Sequence, residues 1–581
     1  MSKYKELEKE LTEAVKKKGY ENDIVLCQSN RPDLGEYQIN DAMKLAKIYH
    51  KSPVQIANDI LDELTKNEKL TNLNIAGAGF INITLSDKFL IEFINEIKDD
   101  IKLNIDKRES KTIVIDYGGA NVAKALHVGH LRSPNIGESL KRLANLLGHK
   151  TISDTHLGDS GLQAGIVVME IKQMYPNLPC FKNDYNGEDF ELPITKEDLK
   201  IIYPTGSKKT KENETLLEQA RQITYQIQNG NIGYSKLWDK ITTLSIADIK
   251  EIYDKLGATF DLWEGERDCF KYIPEMMDSL ERQNLIYVSD GAKVMDVKED
   301  TDDKEMPPII LEKSDGAYLY ATTDLATIYS RMKRFNPDEI WYTADIRQDL
   351  HFTQVFRAAQ KAGFVSENTK LSFIGFGTMN GPDGKPFKTR NGGVMSLEEL
   401  IELTKDECYK RINDNIVEEE NKEETAEIIA LAALKYADLL PYRSTDYIFD
   451  PSKFSDLDGK TGPYLLYSTI RIKSLLKKAN EENLSYSTYS MIKNKSDRDV
   501  IVALINLPQI INRAYETKSL NEIAEYIYKL TSLYNKFYSE NKILTEKNKD
   551  LQESWLVLSK TVYNTNMLLL DLMGIKCPEK M

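Results

Sequence analysis

The chain has 581 residues, 41% of them hydrophobic and 29% charged, which excludes a disordered chain and calls for several domains, about three or four. Its net charge of −14 excludes a protein uniformly coated in lysine for non-specific nucleic-acid binding, though local basic stripes such as Lys16–Lys18, Lys208–Lys211 and Arg471–Lys478 still allow phosphate contacts. No apolar stretch reaches bilayer length, the N-terminus lacks a hydrophobic signal core, and five scattered cysteines fit reduced thiols, so a cytoplasmic protein without membrane attachment is expected.

In chain order, residues 1–105 read as an α/β unit. Helical spacing covers Leu7–Lys18, Ala42–Tyr49 and Val54–Leu64, and Gly77–Ile83 reads as a turn into a strand. The first half of a parallel sheet follows, from 106 to about 160. The apolar run Thr112–Asp116 is its first strand. Ile136, Leu140, Leu143, Ala144 and Leu147 fall on one helical face, Gly148 stands where a helix ends, and Thr151–Asp154 is a second strand. Ser133 and Pro134 are expected as N-cap and first residue of that helix, because proline is tolerated only in a first turn.

Between this strand and this helix lies Ala120–Ser133, with His127 and His130 around Gly129. Backbone N–H groups and the helix dipole make such a position an anion site. Two imidazoles there, with a glycine permitting close backbone approach, suit a nucleoside triphosphate. Three other readings exist. A metal half-site lacks a Cys or carboxylate cluster at zinc-like spacing. A dinucleotide fold is disfavoured because Gly118-Gly119 does not continue as G-x-G-x-x-G. The histidines could also merely cap a helix.

Residues 165 to about 310 carry helical stretches and charged loops without a chemical motif, and Trp263 reads as core. The second half of the sheet is expected from about 309. Tyr318–Asp324 leads into a helix, Glu339–Asp345 is a strand, Arg347–His351 starts a helix and Leu371–Phe376 is a strand. Next, Gly384–Gly393 encloses a short basic run, suited to close over pyrophosphate or, more plainly, an ordinary surface turn at Pro382–Gly384. From 396 the chain is nearly continuous helix, and Tyr464, Tyr467 and Arg471 share one face. The fold class is therefore α/β: a doubly wound, Rossmann-type parallel sheet between an N-terminal α/β domain and a C-terminal all-helical domain.

His127-Val-Gly-His130 resembles the HIGH signature of class I aminoacyl-tRNA synthetases. With Asn121, Lys124 and Leu131–Ser133 it resembles the arginyl-tRNA synthetases in particular. Asp154–Gln163 resembles that family's L-G-D-W-G-x-Q segment, with Ser160 in place of tryptophan and Thr155 in place of an asparagine. Gly384–Gly393 resembles the KMSKS loop. Lys385 and Lys388 have the spacing of its two lysines, yet Phe387–Arg390 also fits a degenerate version in which Lys124 supplies the second charge, and this second register is favoured.

The resemblance implies a tRNA-contacting domain over 1–105, a catalytic domain over 106–395 with a connective insertion at about 170–308, a helical linker over 396–450 and an anticodon-binding domain over 451–581. It implies ATP as substrate with Mg²⁺ accompanying it, L-arginine and tRNA-Arg as partners, a monomer, and no dedicated metal site. Lys124, His127, His130 and Lys388 are the implied catalytic groups. His127, Gly129, His130, Lys385 and Lys388 would hold ATP. Asn121, Tyr320, Asp324 and Gln348 would hold arginine. Phe80 and Asn82 would meet a loop base of tRNA, and Tyr464, Tyr467 and Arg471 the anticodon. A cysteine or glutamate enzyme of the same class fits less well, for want of zinc ligands and because the pocket is acidic. A non-catalytic RNA-binding relative would have lost the phosphate-binding groups.

Overall fold

The computed structural model describes residues 3–31, 33–100, 102–314, 316–387, 394–412 and 418–581. In the N-terminal unit, helices Lys3–Lys17, Ala42–Tyr49, Pro53–Leu64 and Asp87–Ile97 accompany a four-stranded antiparallel sheet in the order Cys27–Gln28, Tyr37–Ile39, Phe80–Leu85, Leu70–Ala76. Strand alternation sends Ile81, Ile83 and Leu85 into the core.

The central sheet has four parallel strands in the order Lys370–Phe376, Glu339–Asp345, Thr112–Asp116, Lys150–Asp154. Ile113, Val114 and Ile115 are all fully buried, as expected of a parallel strand covered on both faces. Strand order reverses between Thr112–Asp116 and Glu339–Asp345, and the crevice beyond their carboxyl ends is where such sheets take ligands. Asp154 and Leu157 make parallel bridges to Leu262 and Gly265, which brings the segment after helix Ile232–Lys255 to the same crevice.

The insertion is largely helical, with helices Leu162–Met174, Lys196–Glu212, Glu214–Gln228 and Ile232–Lys255. The apolar run at 309 was expected to reopen the parallel sheet. Instead Ile309–Glu312 pairs antiparallel with Ala292–Met295, itself paired to Ile286–Ser289, in a separate three-stranded sheet. A short apolar run specifies a strand but not the sheet it joins.

The helix after the histidines spans Arg132–Leu146 without a break, and Gly148 follows at φ 94°. Pro134 is its third residue, inside the first turn, where no intrahelical N–H is needed. Ser133 is not its N-cap, since that position falls to Leu131. The Ser133 hydroxyl instead accepts from the Gly118 N–H at 2.8 Å and donates to the Thr343 carbonyl at 2.7 Å, tying the two halves of the sheet together. Gly137 lets the helix lie on Tyr117, for a Cβ there would stand 2.2 Å from the ring's Cγ.

The C-terminal part is a bundle built mainly of helices Gly462–Glu481, Lys495–Ile505, Leu507–Thr517, Asn521–Glu540 and Lys549–Leu572. Among the described residues no helix is long and apolar enough to cross a membrane.

Candidate active site

A cavity of about 480 Å³ occupies the crevice at the switch point. Asn121, His127, Gly129, His130, Tyr320 and Asp324 line it, with exposed Gln348 at its edge. The sheet thus brings together residues that are far apart in sequence.

On one side, Val128–His130 forms a single 3₁₀ turn. The His127 Nδ1 accepts from the Gly129 N–H at 3.1 Å, and the His130 Nδ1 accepts from the His127 N–H at 3.1 Å. An Nδ1 that accepts cannot carry the proton, which puts the His127 proton on Nε2, while the His130 Nδ1 also lies 3.3 Å from the His127 carbonyl oxygen. Desolvation, reinforced by Lys124, lowers the His127 pKa. Desolvation and the adjacent His127 lower that of His130 to about 4. The ring centroids lie 4.0 Å apart. Lys124 lies beside them, its Nζ 4.7 Å from the centre of the Tyr203 ring.

The second glycine-rich loop is anchored to this turn. Val128 N–H donates to the Met395 carbonyl at 3.2 Å, Leu397 N–H to Leu126 at 3.0 Å, and Met395 N–H to Phe387 at 3.4 Å. Lys385 is exposed on the preceding turn, where its N–H donates to Asp383 at 3.1 Å. Lys388 lies outside the described residues.

On the other side, Tyr320 opens helix Tyr320–Phe335 and Asp324 lies one turn further along. The Asp324 carboxylate is 2.6 Å from His351 Nε2 and 3.9 Å from His156 Nε2. Glu266 lines the same cavity, is buried, and accepts a hydrogen bond from the Ser160 hydroxyl. Burial raises its pKa. Sequence reasoning missed Glu266, His156 and His351. His351 had a faint signal, three residues after Gln348 on the same helical start. Glu266 had none, because it comes from the insertion.

Beneath the cavity, the buried Arg331 guanidinium bridges Asp116 and Asp154, at 2.7 Å from each. Asp116, Asp154 and His156 present ligand atoms within 4.8 Å of one another, but the guanidinium already partners the two carboxylates. Burial raises the Asp116 pKa against the pull of Arg331. Desolvation opposes protonation of His156, but Asp116, Asp154 and Asp324 outweigh it and raise its pKa. His156 holds φ 40°, in the left-handed region that few residues other than glycine occupy. Asn121 forms a parallel bridge with Gly158, where a Cβ would stand 2.5 Å from the Asn121 Oδ1. Thr155 keeps a buried hydroxyl with no partner.

The residues expected to meet tRNA lie elsewhere. Phe80 is half-buried, while Asn82 is fully buried, donating to Asn74 Oδ1 at 2.9 Å and accepting from Gln38 Nε2 at 3.0 Å. Its amide is occupied inside the sheet and presents no edge to a base. Tyr467 is exposed. The Tyr464 hydroxyl accepts from Asn535 at 2.9 Å, and the Arg471 guanidinium donates to the same Asn535 and lies 4.7 Å from the Tyr538 ring centre.

Residues 93–451 match the family model described as tRNA synthetases class I (R), catalytic domain. The chain belongs to the arginyl-tRNA synthetase family. Residues 5–85 match the arginyl tRNA synthetase N terminal domain and 465–581 the DALR anticodon binding domain of this family. Its relatives include the arginine--tRNA ligase of Alkaliphilus oremlandii, 45% identical over 97% of both chains, and that of Agathobacter rectalis, 43% identical over 99% of both. The fold matches the arginyl-tRNA synthetase of Plasmodium falciparum, at 23% identity with a TM-score of 0.81 over 100% of this chain and 99% of that one. It equally matches that of Thermus thermophilus, at 20% identity and 0.81 over 100% of both.

Proposed function

We propose that the crevice groups divide the family's reaction between a phosphate side and a guanidinium side. The chain is an arginine--tRNA ligase: it activates arginine with ATP and transfers it to tRNA-Arg. In the first step an oxygen of the arginine carboxylate bonds to the α-phosphorus, the α–β bridging bond breaks, and pyrophosphate leaves. In the second, a hydroxyl of the terminal tRNA ribose bonds to the acyl carbon and AMP leaves. Neither step needs a protein nucleophile, so catalysis rests on orientation and on donors placed where negative charge grows.

The rings of His127 and His130 donate to phosphate oxygens as the α-phosphorus becomes five-coordinate, and Gly129 lets the nucleotide approach the backbone. Lys124 offsets charge on the leaving pyrophosphate, joined by Lys388 and Lys385 from the second loop. Mg²⁺ enters complexed to ATP. The one described carboxylate–histidine cluster gives it no evident place, since Arg331 already bridges Asp116 and Asp154.

Asp324 and Glu266 accept from the guanidinium, Tyr320 covers it, and Asn121 and Gln348 orient the α-amino end. The observation that carries this reading is one cavity lined both by the histidine pair and by the Asp324 and Glu266 carboxylates. Arginine-dependent ATP–pyrophosphate exchange, measured with tRNA-Arg present, tests it. Asp324→Asn should lower kcat/KM for arginine by about 30-fold or more, as loss of one partner in a desolvated charge pair does. An unchanged value would refute the assignment.

In this reading, residues 1–105 and 451–581 contact tRNA, 106–395 form the catalytic domain around an insertion at about 170–308, and 396–450 link the two. The enzyme works as a monomer in the cytoplasm. Tyr467, Tyr464 and Arg471 form the anticodon-facing surface, and Phe80 stacks on a loop base without help from Asn82.

A further inference from the structure

A second cavity, of about 520 Å³, adjoins the arginine pocket. Tyr320 lines both. Ser160 lies on the wall of the second cavity, and its hydroxyl donates to Glu266 on the wall of the first. The second cavity therefore begins where the guanidinium acceptors end. Its lining is mostly apolar or aromatic, with Leu162, Phe270, Pro274, Leu319, Tyr318 and Tyr225. Ser160 adds only a small side chain to this wall, and Gln228 fixes the Ser160 backbone by donating to its carbonyl at 2.8 Å.

We propose that the cavity beside Ser160 takes an apolar substituent on the outer guanidinium nitrogen, so that the enzyme activates ω-N-alkylated arginines as well as arginine. This rests on the assignment of Asp324 and Glu266 to the guanidinium. A guanidinium has more N–H donors than two carboxylates occupy, so an outer N–H can be replaced by alkyl without orphaning an acceptor. A closed pocket rejects an added methylene by about 10- to 200-fold. Here the added carbons meet an apolar wall, and removing them from water favours binding.

The test is ATP–pyrophosphate exchange by the full chain with tRNA-Arg, comparing L-arginine with Nω-propyl-L-arginine. The same analogue is also tried as a competitor of arginine charging. Wild-type kcat/KM for the analogue should fall within about tenfold of that for arginine, less than a closed pocket imposes. Leu162→Trp, which fills the cavity from the first residue of helix Leu162–Met174, should lower the analogue's value by about tenfold while moving arginine's by less than about twofold. Leu162→Phe should lower it by less, and serves if the tryptophan variant does not fold. An analogue that neither exchanges nor competes, while arginine is activated, overturns the inference. So does a filled cavity that affects both substrates equally. If Asp324→Asn leaves the value for arginine unchanged, the guanidinium assignment is what fails.

Discussion

At the scale of single residues, the site depends on protonation states set by burial. His130 is held neutral by desolvation, reinforced by the adjacent His127, which together lower its pKa to about 4. Its folded pKa lies below the unfolded value, so the stability it contributes is complete above about pH 6.5 and is lost as pH falls toward 4. Thermal unfolding at pH 7 and pH 5 should show a smaller loss of Tm in His130→Asn than in the wild type. Glu266 acts on charge rather than shape. Glu266→Gln keeps the volume and the Ser160 contact but removes a formal charge facing the guanidinium. KM for arginine should rise by about 10- to 100-fold with kcat nearly unchanged, the cost of a hydrogen bond to a charged group. Steady-state exchange kinetics at several arginine concentrations check this.

At the scale of elements, helix Arg132–Leu146 joins the nucleotide turn to the helical half of the molecule. Arg132 Nε donates to Asp438 Oδ1 at 2.7 Å, both side chains being buried, while Asn135 donates to Asp438 at 2.7 Å and the Tyr447 hydroxyl donates at 3.0 Å. Removing one partner leaves a buried charge uncompensated. Arg132→Met should therefore destabilise by about 3–5 kcal/mol in urea unfolding, and adding Asp438→Leu should recover part of that loss. The second loop is held by one end. Backbone bonds from Val128 to Met395 and from Leu397 to Leu126 seat its described C-terminal end beside the histidines.

At the scale of the whole molecule, the N-terminal unit is docked on the C-terminal bundle. Arg498 donates to Glu36 at 2.5 Å and also to Asp87 and the Leu85 carbonyl, the Tyr37 hydroxyl donates to Asn506 at 2.9 Å, and Asn95 donates to the Tyr489 carbonyl at 2.7 Å. Chain ends far apart in sequence thus form one joint. Arg498→Ala should cost about 1.5–3 kcal/mol at that joint, read as lost amide-exchange protection in strand Phe80–Leu85, with ATP–pyrophosphate exchange little affected. Unchanged protection would show that the apolar contacts alone hold the unit.

Much of this was legible in the chain. The strands Thr112–Asp116 and Glu339–Asp345 and the helix ending before Gly148 follow from local periodicity and local stop signals, which act within a few residues. The histidine turn was legible because its chemistry is contiguous. Glu266, His156 and His351 were not, since each becomes a neighbour of Asp324 only when a parallel sheet closes. Nor could local pattern tell that Ile309–Glu312 joins a different sheet, that Ser133 serves two strands instead of a helix end, or that Asn82 turns inward. The sequence by itself determined which segments coil, which extend and where the histidine turn falls, because those are short-range preferences of the backbone. Only the tertiary structure decided which charges face one another across the crevice, because burial and long-range pairing belong to the folded chain as a whole.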